Sequence, residues 1–195
     1  MTPRLPAAER RQQLFDVSLE MFSRRGFHQT SMNDIADEAG VTKPVLYQHF
    51  GSKRELFLEL LRDLGGRLRE AVNKATAEAV GPRQQVENGL VAYFKWVEAH
   101  RAGFAILFDG ETRRDPDFRA EANSIESDIA NAIASLIVVE GLDDERRRLL
   151  AYGIVGMSER TCRHWLTHNV GFTAEELAAQ LAELAWAGLR GVRPN

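Results

Sequence analysis

The sequence predicts an all-α protein with about nine helices, in which a three-helix N-terminal head is joined to a larger C-terminal helical bundle. Apolar residues recur at helical spacing along almost all of the 195 residues, and the only β-branched cluster, residues 137–139, lies inside a longer helical pattern. Capping residues, glycines and prolines divide this pattern into segments of helix length. We expect the head to span residues 1–55 and the bundle to span residues 56–195.

The three helices of the head follow from their boundary residues. A helix over residues 8–25 is expected to end at Gly26, because glycine suits the left-handed exit from a helix. Ser31, with a carboxylate three residues later, has the spacing of a capping box and opens a second helix, which Gly40 ends. Thr42 is the expected N-cap of a third helix.

Further capping and breaking residues divide the bundle. These are Ser52 with Glu55, Gly81-Pro82, Asp115-Pro116, Gly141, and Thr173 with Glu176. They predict a long fourth helix, a fifth, a short sixth over residues 103–108, a seventh, an eighth over residues 144–168 and a ninth. Gly65-Gly66 falls inside the fourth helix, where two glycines cost about 2 kcal/mol relative to alanine. Either a hinge or close packing against another helix accounts for that pair.

Three residues in the head have the spacing that a helix-turn-helix requires. Ala36 is small enough for two helices to cross, Gly40 suits the tight turn, and Leu46 can tuck the next helix onto the previous one. An ordinary helical hairpin has the same spacing. The third helix favours DNA binding, because its side chains offer an ammonium, an amide, a phenol and an imidazole to base edges or phosphates.

The segment GFHQTSMNDIADEAGVTKPVLYQHFGSKRELF resembles the N-terminal signature of the TetR family of one-component transcriptional regulators. The matching positions are Gly26, Phe27, Thr30, Ser31, Leu46, Tyr47, His49, Phe50 and Lys53. The resemblance covers about the first sixty residues, and the remainder matches the family only in being helical. It implies a homodimeric repressor that binds double-stranded operator DNA through the head and encloses a small molecule in a ligand-binding and dimerisation bundle.

The resemblance also implies roles for individual residues of the head. Phosphate contacts are expected for Thr30, Ser31, Tyr47, His49 and Lys53. Base edges are expected to face Lys43, Pro44 and Gln48. Thr42 and Ser31 can instead be only helix caps, although a cap can also hold a phosphate, and Tyr47 can be only a packing residue. Gln48 can pair with adenine, which leaves the operator sequence open.

The charge of the chain argues against DNA binding through bulk electrostatics. The net charge at pH 7 is −3, and residues 1–62 hold nine Lys and Arg against eight Asp and Glu. The acidic excess therefore lies away from the head. DNA affinity must come from the placement of a few cations and from dimerisation.

Several other classes of protein are not favoured by the sequence. No phosphate-binding loop or nucleophile elbow occurs, so we expect no enzyme activity and no cofactor. Cys162, His164 and His168 lie close together, but no further ligand stands at a fixed spacing, so we expect no metal site. No stretch has signal-peptide or membrane-span character, which predicts a cytoplasmic protein without a membrane partner. A helical ligand carrier or enzyme with a vestigial head remains the alternative.

The last two predicted helices are candidates for a dimer interface. The residues predicted to form it are Gly153, Leu177, Leu181, Leu184 and Gly188. Glycine in a helix interior costs about 1 kcal/mol unless a close approach compensates, and small residues allow the helix contacts of a four-helix dimer. The alternative is that the glycines fit the core of a single chain or line a ligand pocket.

The effector pocket is predicted from aromatic and aliphatic residues with a few cations. Its candidate residues are Tyr93, Phe94, Phe104, Phe108, Arg113, Ile129, Met157, Arg160, Arg163, His164 and Trp165. Judged singly, the apolar residues fit a core equally well, and Arg163 can pair with Glu159 on the surface. The inventory favours an apolar effector with an acidic end, such as an acyl chain with an acid or CoA head. If Asp109, Glu111, Glu126 and Asp128 point inward, a cationic ligand fits better.

Overall fold

The computed structural model describes residues 6–108, 110–168 and 170–193, apart from the side chain of Glu111, and these residues form ten helices and no strand. The helices are α1 (Ala7–Gln29), α2 (Met32–Glu38), α3 (Lys43–His49), α4 (Lys53–Ala77), α5 (Pro82–Ala99), α6 (Arg101–Phe108), α7 (Gly110–Arg114), α8 (Pro116–Leu136), α9 (Asp144–His168) and α10 (Ala174–Gly191). The predicted all-α fold is confirmed. The additional helix is the five-residue α7, which carries no capping signal of the kind used above.

The helix boundaries of the head agree with the capping residues. Ser31 and Asp34 form the predicted capping box at the start of α2. Gly26 has φ 76° and ψ 166°, which breaks the helical path of α1 three residues before its end at Gln29. Gly40 has φ 64° in the turn after α2, a conformation that L side chains rarely adopt. Thr42 occupies the N-cap position of α3, but its side chain makes no capping hydrogen bond.

The chain divides into two compact units that do not coincide with the predicted boundary at residue 55. The head unit comprises Met1–Leu64 and Ala102–Ala122, and the bundle unit comprises Gly65–Arg101 and Asn123–Asn195. The segment Ala102–Ala122 therefore packs with the head. The division into DNA-binding and ligand-binding segments at residue 55 stays a prediction.

The core of the head unit is formed by α1, α2, α3 and the first half of α4, together with α6 and the start of α8. Its fully buried side chains include Leu14, Ile35, Leu46, Leu56 and Leu61. In the bundle unit, α10 packs along α5, and Thr173 and Glu176 form the predicted capping box at its start. Leu177 and Leu181 are 8% and 9% exposed in this packing. Within the described residues, no helix has the length and apolar character needed to cross a membrane.

The glycine pair in α4 does not interrupt the helix, which runs from Lys53 to Ala77. A Cβ atom built on Gly65 would lie 2.6 Å from Cγ2 of Ile125 on α8, whereas one built on Gly66 would meet nothing within 4 Å. Of the two alternatives for this pair, close packing therefore accounts for Gly65.

Candidate functional site

Helices α2 and α3 are joined by the tight turn of a helix-turn-helix. Ile35 and Leu46 are fully buried and Ala36 is 2% exposed, so small and apolar side chains fill the crossing of the two helices. The backbone N–H of Val41 donates to the Ala36 carbonyl over 2.9 Å, which closes the turn. The roles predicted for Ala36, Gly40 and Leu46 are confirmed.

The outer surface of α3 carries most of the predicted DNA-binding residues. Their side chains are exposed at Ser31, Thr42, Lys43, Pro44, Tyr47 and Gln48, and His49 is half-buried. The ammonium of Lys43 lies 5.8 Å from the centre of the Tyr47 ring. A cation, a phenol and an amide thus stand together on one short helix, with the chemistry to bind phosphates and base edges.

Thr30 does not belong to this exposed surface. Its side chain is almost fully buried, and its hydroxyl donates to the Gly26 carbonyl over 2.9 Å. The phosphate contact predicted for this side chain is therefore corrected. Thr30 instead closes the kinked end of α1 on the side that leads into α2.

Lys53 is largely a positioning residue. Its ammonium donates to the carbonyls of Phe27 and Thr30 over 2.7 and 2.9 Å, and it lies 4.2 Å from the centre of the Phe27 ring. Burial lowers the pKa of this ammonium below its ordinary value. Two of its three N–H bonds are used, so at most one remains for the predicted phosphate contact.

Arg11 also positions the recognition surface, although no sequence motif points to it. Its guanidinium donates to the His49 carbonyl over 3.1 Å, pairs with Glu59, and lies 4.6 Å from the centre of the Phe50 ring. These contacts fix the end of α3 to α1 and α4. The partners are 38 to 48 residues away in sequence, so no local pattern predicts them.

Arg54 binds the start of α8 to α4 within the head unit. Its guanidinium donates to both carboxylate oxygens of Asp115, over 2.7 and 2.8 Å, and also pairs with Asp117. Asp115 also caps α8, since its Oδ1 accepts from the backbone N–H groups of Asp117 and Phe118 over 3.0 and 3.3 Å. The cap was predicted from Asp115-Pro116, whereas the ion pair was not.

Asp115→Asn should lower stability at neutral pH and lose this effect in acid. The Arg54 guanidinium lowers the pKa of the Asp115 carboxyl below its ordinary value of 3.8. A lowered pKa gives stability that is present above the unfolded value and lost as the pH falls through the folded value. Asparagine keeps the cap but not the charge, so we expect a loss of about 0.5–1 kcal/mol at pH 7 that shrinks below pH 4. Urea unfolding across this range measures it, and a constant difference would contradict it.

Tyr93 is the one predicted ligand residue that has an unsatisfied polar atom in the interior. Its hydroxyl is buried without a hydrogen-bonding oxygen or nitrogen among the described residues, and the adjacent Cys162 thiol offers only the weak bond that sulfur makes. Burial raises the pKa of Tyr93 well above 10, and it raises the pKa of Cys162 to about 12. Both groups are therefore uncharged at neutral pH.

Only some of the other predicted ligand-binding residues lie in the interior of the bundle unit with Tyr93. Phe94, Ile129 and Trp165 are buried in the bundle unit, and Met157 is half-buried. Arg163 is half-buried and donates to Glu159 over 2.6 Å.

Five of the predicted ligand residues lie elsewhere. The side chains of Arg160 and His164 are exposed on α9, so their predicted place in an enclosed pocket is corrected. Phe104, Phe108 and Arg113 belong to the head unit. Of the four acids that would favour a cationic ligand, Asp109 lies outside the described residues, and so does the side chain of Glu111. Asp128 is exposed and pairs with Arg69, and Glu126 is half-buried.

The histidines of α9 were considered above as metal ligands together with Cys162. The rings of His164 and His168 stack with centres 4.2 Å apart, and Cys162 is buried. In the part of the chain that is described, no three His, Cys, Asp or Glu side chains are placed to hold a metal ion.

Some of the residues predicted to form the dimer interface are buried within the chain, and the others are exposed to solvent. Leu177 and Leu181 are core residues of the bundle unit, because they pack toward α5, so their assignment to the interface is corrected. Leu184 is 64% exposed, and a Cβ at Gly153 or Gly188 would meet nothing within 4 Å. The glycines therefore do not serve close packing inside this chain.

Comparisons with known proteins identify the class to which this fold and surface belong, the helix-turn-helix transcriptional regulators. Residues 14–60 match the family described as bacterial regulatory proteins, tetR family, and residues 82–188 match the tetracyclin repressor-like C-terminal domain. The chain is 34% identical to the HTH-type transcriptional activator FasR of Mycolicibacterium smegmatis over 97% of this chain and 87% of FasR.

Solved structures agree with the match. A TetR-like transcriptional regulator from Rhodococcus sp. RHA1 superposes with a TM-score of 0.76 at 32% identity, covering 97% of this chain and all of that one. The regulator FadR from Bacillus subtilis, in complex with stearoyl-CoA, has a TM-score of 0.76 at 20% identity and covers 93% of this chain and 99% of that one. The chain belongs to the TetR family. It is therefore a DNA-binding transcriptional regulator and not an enzyme.

Proposed function

We propose that this regulator binds a palindromic operator as a homodimer and responds to a small, largely apolar effector. The observation that carries the proposal is the exposed face of α3, where Lys43, Tyr47 and Gln48 stand beyond a buried Leu46. Two such helices in successive major grooves require a two-fold dimer and a two-fold operator. A protein that binds operator DNA must reach the chromosome, so we infer a cytoplasmic location.

Two helices of the bundle unit support the dimer. On α9, the exposed positions Leu149, Tyr152, Gly153 and Gly156 follow the i, i+3, i+4, i+7 spacing of one helix face. On α10, the exposed positions Leu184, Ala187, Gly188 and Gly191 repeat this spacing. Each face combines a large apolar side chain with small residues, which suits the close helix contacts of a four-helix interface.

The sense of regulation is proposed as repression, with effector binding favouring a dimer geometry that no longer fits the operator. The relative FasR is named an activator, so the two senses must be separated by measurement. Deleting the gene should raise transcription from the operator that the protein binds. A fall in transcription would establish activation instead.

The DNA assignment is tested with operator selected from a random pool. Gln48→Ala should relax base preference at one position in each half-site by about 1–3 kcal/mol, because an amide pairs with a base edge. Tyr47→Phe should weaken binding on all sequences by about 0.5–1.5 kcal/mol, because a phenol bound to phosphate carries no base information. Fluorescence anisotropy on selected and shuffled DNA separates the two effects. Wild-type affinity and preference in both variants would show that α3 is not the recognition helix.

The effector is proposed to bind in the bundle unit next to Tyr93. A buried hydroxyl that lacks an oxygen or nitrogen partner costs up to about 1–3 kcal/mol, so a ligand group that pairs with it more strongly than the Cys162 thiol recovers free energy. Phe94 and Trp165, with ring centres 6.2 Å apart, supply apolar surface nearby. The likeness to FadR with bound stearoyl-CoA supports an acyl effector with an acidic or CoA head.

Tyr93→Phe should stabilise the free protein and weaken the effector response. Removing a buried hydroxyl whose one partner is a weakly bonding thiol should raise the free energy of unfolding by about 1 kcal/mol or less. A thermal-shift screen of acyl-CoAs, fatty acids and lipophilic cations then identifies the effector class, because selective binding to the native state raises the midpoint. We expect the anionic acyl compounds to raise it, and the rise should be smaller in Tyr93→Phe. Stabilisation by cations alone would exclude the acyl effector.

A further inference from the structure

A cavity of about 440 Å³ lies in the head unit, between the end of α1, α4, α6, α7 and the start of α8. Small-molecule sites typically have volumes of about 300–1,000 Å³. The proposed function does not use this cavity, because the effector site proposed above lies at Tyr93 in the bundle unit. We refer to it as the head-unit cavity.

The wall of the head-unit cavity combines a cluster of apolar, mostly phenylalanine, side chains with polar and charged residues. Phe22, Phe57, Phe118 and Ile106 line it with only 2 to 4% of their surfaces exposed. The rings of Phe57 and Phe118 have centres 4.5 Å apart, and Phe27 packs edge-on against Phe118 at 4.8 Å. Surfaces of this kind favour an apolar, preferably aromatic, body.

The kink of α1 at Gly26 forms one side of the cavity. The φ of 76° at Gly26 turns the chain so that Gly26, Phe27 and His28 all line it. Lys53 holds this turn by donating to the Phe27 carbonyl. The kink that forms this side of the cavity therefore lies directly before the helix-turn-helix of α2 and α3.

The charge around the head-unit cavity favours an anion. Among the lining side chains that the structure describes, Asp115 is the one carboxylate, and it already accepts two hydrogen bonds from Arg54. Arg25 and His28 line the cavity with exposed side chains. Within residues 6–108, 110–168 and 170–193, no carboxylate lies within salt-bridge distance of Arg25, although Arg25 interacts electrostatically with Asp34 at longer range. Its neighbour Arg24, by contrast, pairs with Glu20 at 3.0 Å.

We propose that the head-unit cavity binds small monocarboxylates with an aromatic or alkyl body, placing the body among the phenylalanine rings and the carboxylate at Arg25 and His28. Such a ligand contacts both the helix-turn-helix part of the head and the segment Ala102–Ala122. Its binding stabilises the packing of that segment on the head. The site is thus a second effector site, which acts on the DNA-binding unit directly.

The test uses the full chain with 13C-labelled isoleucine δ1 methyl groups, observed by NMR. Ile106 lines the cavity and is the local reporter, and Ile129 in the bundle unit is the remote reporter. The probes are 4-phenylbutyrate and its uncharged counterpart 4-phenylbutyramide. Titration with 4-phenylbutyrate should shift the Ile106 signal saturably with a Kd in the millimolar range or below, and the amide should bind about tenfold more weakly. No DNA is needed, so the result does not depend on the proposed function.

Three variants locate the binding. Arg25→Gln should weaken 4-phenylbutyrate about tenfold, whereas the matched control Arg24→Gln should stay within about twofold of wild type. Ala105→Trp should abolish the shift, because Ala105 is an exposed lining residue and the indole fills the opening. Ala105→Leu serves as the smaller obstruction if the tryptophan variant does not fold. Equal binding of the amide, equal effects of the two arginine variants, a response at Ile129 in place of Ile106, or no saturable shift would each overturn the proposal.

Discussion

Gly65→Ala is expected to be less stable than Gly66→Ala by about 1–3 kcal/mol, although the two positions are neighbours in one helix. Both changes gain the same helix propensity, about 1 kcal/mol, so this gain cancels from the comparison. The difference isolates the packing at Gly65, where a new Cβ would lie 2.6 to 2.9 Å from three side-chain carbons of Ile125. Two of these carbons, Cγ1 and Cγ2 of Ile125, branch directly from Cβ, so rotating the flexible end of the side chain does not relieve both contacts.

Urea unfolding of the two variants measures this difference, and Gly66→Ala alone should be more stable than wild type. A double-mutant cycle with Ile125→Ala provides the control, because that change removes all three close carbons. Gly65→Ala should then cost less in the Ile125→Ala background than in wild type. Equal stability of the two alanine variants would mean that α4 and α8 are not closely packed at this point.

Leu184→Arg is expected to produce monomers and to lower operator affinity by about 100-fold or more. Leu184 is 64% exposed on α10, in a face completed by Gly188 and Gly191. An arginine there adds a charge and a long side chain to the proposed interface but disturbs no buried packing within the chain. Each half-site alone is held weakly, so loss of the dimer removes most of the affinity.

The matched control is Ala179→Arg, which places the same residue at another exposed position of α10. Ala179 lies on the flank with Glu175 and Glu183, whose carboxylates pair with Lys95 and Arg83 of α5. This variant should remain dimeric and bind operator as wild type does. Light scattering at micromolar concentration reports the assembly, and a dimeric Leu184→Arg protein would place the interface elsewhere.

Leu181 illustrates why periodicity alone did not define the interface. Leu177, Leu181, Leu184 and Gly188 follow one apolar stripe in sequence, but the helix turns Leu181 toward α5 and Leu184 toward solvent. A stripe predicts that a face is buried and does not say by which partner. The spacing of Leu149, Tyr152, Gly153 and Gly156 was equally visible in the sequence, and only their exposure distinguishes them from core residues.

Features that depend on neighbouring residues are predictable from the sequence alone. The all-helical fold, the capping boxes at Ser31 and Thr173 and the turn at Gly40 rest on interactions within a few residues, which local patterns encode. The TetR signature is likewise a pattern of residues close together in sequence, so it can be recognised without the structure.

Contacts between residues far apart in sequence are visible in the folded chain and not in local sequence patterns. The ammonium of Lys53 is hydrogen-bonded to the end of α1, and the side chain of Thr30 is buried. Arg54 pairs with Asp115, which is 61 residues away in sequence. Gly65 packs closely against Ile125, whereas a Cβ atom at Gly66 would have no neighbour within 4 Å. The physical reason is that such contacts depend on where helices cross, and helical periodicity fixes which side of a helix is apolar but not which neighbour covers it.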